Sequence, residues 1–210
     1  FSTPLLYWGP MNYATAYPFK LPVKKVGRIA GWLPLPRDKQ GHLMVGDNLE
    51  SWLHEFKPQM VITCFQHLLQ EWWNGVMTLE KVLLADAGRA APGLRREWGL
   101  ARHVWLSIRS TVQIIRFIQI SRRIARSPAN AIDGLRRKLK TLVADELSAA
   151  REDRELIAAD KRLGYHPEAH ENLFSAKDLD YKIRMCAALL RRLETRSARL
   201  NPLAPSRSAR

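Results

Sequence analysis

Cysteine is scarce in this chain: its 210 residues include only Cys64 and Cys186, each inside an apolar-periodic stretch and without the paired Cys/His spacing that holds zinc. A disulfide framework and a zinc module are therefore not expected, and the redox compartment stays open. Long apolar runs are missing too. None approaches the roughly 18–20 residues of a membrane span, and no basic, apolar, small-residue signal pattern follows Phe1. The expectation is a soluble chain with no membrane span, cytoplasmic or exported. An initiating Met is absent, as in a processed chain or a piece of a longer one. Acids are in short supply, 20 Asp and Glu against 34 Lys and Arg, which gives a formal charge of +14. A polyanion or an acidic protein surface suits that balance as a partner. Glycine-rich phosphate loops, Ser-His-Asp or Cys-His arrangements and a visible pair of glycosidase carboxylates are all lacking, and no cofactor or metal is implied.

Apolar residues make up 46% of the chain, enough for a full core. Residues 1–46 hold six of the twelve prolines, with Tyr7, Trp8, Tyr13, Tyr17, Phe19 and Trp32 among them. Proline fixes φ and removes a donor, so this stretch reads as irregular and extended. Its aromatic density argues that it packs on a surface, because disordered chains are poor in such residues.

Residues 47–196 read as a helical bundle. Asp47-Asn48-Leu49-Glu50 opens a short helix with a capping-box pattern, closed by Pro58. A second helix, to about Ala87, places Val61, Phe65, Leu68, Trp72, Val76, Leu79 and Leu83 on one face. The third, about Gly93 to Arg126, carries a heptad seam of Leu94, Trp98, Ala101, Trp105, Ile108, Val112 and Ile115. A fourth runs from near Asn130 to a Leu163-Gly164 stop, with Ile132, Leu135, Leu139, Leu142, Leu147 and Ala150 inward. After a loop at 165–173, Ser175 and Asp178 form a capping pair, with Phe174 and Leu179 as a hydrophobic staple, and a last helix runs to about Arg196. Its stripe is Leu179, Ile183, Cys186, Leu190 and Leu193. The acid-free tail 197–210 is expected to fray. The fold class is mainly α: an irregular aromatic, Pro-rich N-terminal segment, then an antiparallel up-down bundle of four to five helices.

Two clusters carry candidate chemistry. Arg95, Arg102, Arg109, Arg116 and Arg123 recur every seven residues on one flank of the third helix. They make nucleic acid or another polyanion the alternative partner, although no helix-turn-helix, zinc-finger or RNA-binding signature accompanies them. The loop Tyr165-His166-Pro167-Glu168-Ala169-His170 gathers imidazoles and carboxylates. It matches the zinc-protease pattern poorly, since Pro167 opposes a helix there, and a metal-dependent enzyme built on His166 and His170 is a further alternative. Glu71 precedes Trp72 and Trp73, and core packing accounts for these indoles better than a sugar platform does.

The run Asp160-Lys161-Arg162-Leu163-Gly164-Tyr165-His166-Pro167-Glu168-Ala169-His170, followed by Asp178-Leu179-Asp180-Tyr181-Lys182-Ile183, resembles the C-terminal helical region of large bacterial glycoside-hydrolase-like proteins of the hexosaminidase-like and α-glucuronidase-like kind. Phe65–Gly75, with Leu68, Glu71 and Trp72, is similar to the first long helix of that region. The resemblance covers roughly residues 47–193. It implies that the catalytic acids lie upstream in a (β/α)₈ barrel and that this chain is an accessory, non-catalytic part docking on it. Trp8, Trp32, Tyr165, His166, Glu168 and His170 are then the docking or substrate-mouth candidates, the upstream domain is the partner, and carbohydrate is a possible ligand. No catalytic residue carries over.

Overall fold

The computed structural model describes residues 14–21, 37, 39–41, 53, 56–85, 92–166 and 171–199. Four long helices dominate them: α1, Pro58–Ala85; α2, Pro92–Arg126; α3, Ala129–Ala159; and α4, Ala176–Arg199. Proline marks the boundaries. Pro58 and Pro92 occupy first helical positions, where a missing N–H costs nothing. Pro128 ends α2 and precedes α3 in an extended conformation, with φ −64° and ψ 158°. Between α3 and α4 the chain turns at Gly164, whose φ of +93° favours glycine and where a Cβ would lie 2.6 Å from the Phe174 carbonyl oxygen. It then forms a two-residue antiparallel ladder, β1 (Tyr165–His166) with β2 (Glu171–Asn172), inside the stretch expected as plain loop. Asp178 closes the capping pair by accepting from the Ser175 backbone N–H at 2.9 Å and from its hydroxyl at 3.0 Å, and Phe174 and Leu179 are both buried as a staple requires.

The helices form the expected bundle. α2 runs through its middle, packing on α1 to one side and α3 to the other, and α3 packs in turn on α4. From Ser110 to Ile118 every residue of α2 except Arg116 is buried, because the N-terminal segment covers the face the helices leave open. That segment enters as a single 3₁₀ turn, Ala14–Ala16, and continues through Tyr17 and Phe19, all buried. The Phe19 ring sits 4.6 Å from that of Phe117. The described part of the Pro-rich entrance thus packs on the bundle; Trp8 and Trp32 lie outside the described residues, as does most of the short helix expected after Asp47, of which Leu53 is helical and buried.

Three expected faces need rotation. On α1 the covered stripe is Ile62, Phe65, Leu69, Trp73 and Val76, whereas Leu68 and Trp72 are 40% and 38% exposed. The seam expected on α2 is buried only from Ile108 onward, while Leu94, Trp98, Ala101 and Trp105 are half-buried. On α4 the deepest residues are Leu179, Lys182, Cys186, Leu189 and Leu193, with Ile183 and Leu190 at the margin. α4 also continues to Arg199, past the expected stop at Arg196.

Candidate functional site

The bundle interior carries a polar seam assembled by heptad spacing. On α2, His103 and Ser110 stand seven residues apart; on α3, Glu146 and Asp153 do the same. Antiparallel packing matches them rung for rung. His103 Nδ1 lies 2.7 Å from Asp153 Oδ1, and Ser110 Oγ donates to Glu146 Oε1 at 2.5 Å. α4 adds Lys182, whose Nζ donates to Glu146 Oε1 at 2.5 Å and to the carbonyl oxygens of Ala14 at 3.0 Å and Thr15 at 2.7 Å. Lys182 and Glu146 are both 0% exposed. Burying two charges is costly unless they pair and their remaining donors find acceptors, and Lys182 meets that condition by drawing two backbone carbonyls onto itself. The ion pair therefore fastens the N-terminal segment to three helices at once. One oxygen on each acid, Glu146 Oε2 and Asp153 Oδ2, is shielded without a partner among the described residues.

The seam offers no nucleophile to a substrate. Ser110, Glu146 and Lys182 are enclosed, and burial pushes the neighbouring Cys186 thiol up to about 12, with Lys182 opposing that rise and Glu146 adding to it. Cys64 is exposed on α1.

The arginine flank resolves into separate roles. Arg102 packs against both Trp73 and Trp105, 4.5 and 4.6 Å from ring centres that are themselves 4.8 Å apart, and forks onto Glu152 of α3 through Nε to Oε1 and through Nη2 to Oε2 at 3.0 Å. Arg109 donates to the Asp145 carbonyl oxygen at 3.3 Å, and Arg116 is half-buried. Arg95 and Arg123 are exposed but stand 28 residues apart, about 42 Å along a helix rising about 1.5 Å per residue. The middle of the stripe thus lines a helix seam and does not form an open basic ribbon. Among the loop candidates, Tyr165 is exposed and His166 pairs its backbone with Glu171; Glu168 and His170 fall outside the described residues. Next to them Arg162 grips Asp160, Nη2 to Oδ2 at 2.5 Å, and holds that carboxyl down to about 2. Among the described residues no three His, Cys, Asp or Glu side chains converge as metal ligands, and no helix is long and apolar enough to cross a membrane.

No family model, curated protein or solved structure matches this chain. Met60, Cys64, Leu68, Trp72 and Val82 all fall within about a third of the α1 circumference, at 100° per residue, and all are exposed. Trp72 Nε1 donates across to the Ala101 carbonyl of α2 at 2.8 Å. The doublets Leu68-Leu69 and Trp72-Trp73 give α1 two apolar stripes, one inward and one outward. Sequence periodicity by itself displays neither the seam nor the outward stripe, although Lys182 falls at an apolar step between Leu179 and Cys186, and that placement is a readable signal.

Proposed function

We propose that this chain is a non-catalytic helical support, the accessory C-terminal part of a carbohydrate-active, glycoside-hydrolase-like protein, docking on a catalytic domain upstream in the same polypeptide. The observation that carries the docking is the outward apolar flank of α1, where Leu68, Trp72 and Val82 are 40%, 38% and 49% exposed. The enclosure of the polar seam supports a positional role, because its charged groups hold the chain's own backbone. The carbohydrate assignment rests on the sequence resemblance at 160–183. Two measurements test the proposal. The genomic frame upstream of Phe1 should continue into an alternation of strands and helices. Leu68→Glu/Trp72→Glu should leave the helical content intact while abolishing association with that upstream domain supplied as a separate protein. Undiminished association, or glycosidase turnover by this chain alone, refutes the reading.

The formal charge of +14 favours a second reading, a basic module binding nucleic acid or another polyanion. Salt-dependent retention on heparin that falls when Arg95 and Arg123 become Gln supports it; retention unchanged by those substitutions counts against it.

A further inference from the structure

At one end of the bundle, the last turns of α1, the first turns of α2 and the end of α3 line a half-open cavity of about 610 Å³. Its walls are apolar, formed by Leu83, Trp98, Leu156, Ala159 and Leu163, with Gly99 in the α2 wall. The volume falls within the roughly 300–1,000 Å³ of small-molecule sites. Its rim carries charge of both signs. Arg95 and Arg96 stand within the first five residues of α2, and the first turn of that helix holds no acid. Cations at a helix N-terminus oppose the helix dipole, so two of them there raise a positive potential that an anion would relieve. Two acids also line the cavity. Asp160 pairs with Arg162 and also feels the charge of Arg96, and Glu80 lines the α1 wall, so an anionic head competes with two carboxylates for Arg95 and Arg96.

Gly99 supplies an independent argument. It lies inside a 35-residue helix, where glycine destabilises relative to alanine. Helix packing does not demand it: an added Cβ would meet only Leu156 Cδ2, at 3.9 Å, an ordinary contact. What a larger side chain would remove is cavity space. Beside it, the Trp98 indole N–H is shielded and has no acceptor among the described residues. Among the described residues, none fills this space below the two arginines.

We propose that this cavity binds an amphiphile, an apolar tail lying between α1, α2 and α3 and a single carboxylate or phosphate head held by Arg95 and Arg96. The proposal is independent of the docking flank on α1. Isothermal titration with decanoate, monodecyl phosphate and decyltrimethylammonium, each below its micelle concentration, tests it on the full chain. Saturable one-to-one binding of at least one anion is expected, and none of the cation. Arg95→Gln/Arg96→Gln should weaken the anion about tenfold, the factor one charge-assisted hydrogen bond supplies. Gly99→Met should abolish binding with the circular dichroism spectrum unchanged, while Gly99→Ala retains binding and raises Tm. The proposal is overturned if neither anion binds, if the cation binds equally well, or if binding survives Gly99→Met. Survival of binding in Gly99→Met with loss in Leu68→Glu would place the amphiphile on the α1 flank instead, and also counts against it.

Discussion

Replacing Lys182 by Met tests the polar seam most directly, because the two side chains are similar in length and differ mainly in charge. In the native chain Lys182 Nζ serves Glu146 and the carbonyls of Ala14 and Thr15, all buried. The substitution would leave the Glu146 carboxylate enclosed with only the Ser110 hydroxyl. Breaking a buried pair from one side costs about 3–5 kcal/mol. In a chain of this size that corresponds to a Tm lower by roughly 6–20 °C, at about 2–4 °C per kcal/mol. The two carbonyls lose their donor as well, so residues 14–19 should loosen before the helices melt. Urea unfolding followed by far-ultraviolet circular dichroism gives the global effect, and trypsin cleavage at Lys20 reports the segment. Adding Glu146→Leu removes the orphaned charge, so the double variant should be more stable than Lys182→Met alone even though each substitution destabilises by itself. Should Lys182→Met cost under about 1 kcal/mol, or should the two losses simply add, the pair does not fasten the segment as argued.

Other outcomes follow from the same geometry. Gly164→Ala forces a side chain into a φ of +93° and against the Phe174 carbonyl, so a loss of at least about 1–3 kcal/mol is expected in urea unfolding. Gly99→Ala should gain about 0.5–1 kcal/mol in the same assay. A thiol reagent at pH 8 should modify one cysteine quickly, exposed Cys64, and reach Cys186 only on unfolding, since its thiol is pushed up to about 12 and remains protonated. Because the Asp160 carboxyl falls from 3.8 to about 2 on folding, its contribution is present above pH 4 and lost as pH drops through 2. Asp160→Asn should therefore flatten the dependence of Tm on pH between 4 and 2, and an unchanged slope would disprove the Arg162 pairing.

Helix boundaries were legible because they rest on local chemistry that a sequence displays. Pro58, Pro128 and the Ser175–Asp178 pair each act within a few residues, whereas α3 ends at Ala159, short of the expected Leu163-Gly164 stop, because Gly164 serves the turn that follows it. The facing of α1 was not, because adjacent doublets at 68–69 and 72–73 satisfy two stripes 100° apart, and only its position at the bundle margin decides between them. The seam was obscured for a different reason. Ser110, Glu146, Asp153 and Lys182 count as polar in any periodicity test, yet they occupy interior steps, and their partners are fixed by inter-helix register. The Arg102 stack is likewise invisible until α1 and α3 are placed beside α2, since Trp73 and Glu152 come from different helices.

The Lys182 clasp also orders events during synthesis. Its acceptors lie 168 and 167 residues before it, so the niche for the 14–19 stretch is incomplete until α4 leaves the ribosome. At about 5–20 residues per second, the opening segment waits roughly 8–35 s with its aromatic rings unsheltered. During that interval Tyr17 and Phe19, both buried in the finished bundle, lack the niche that α4 completes.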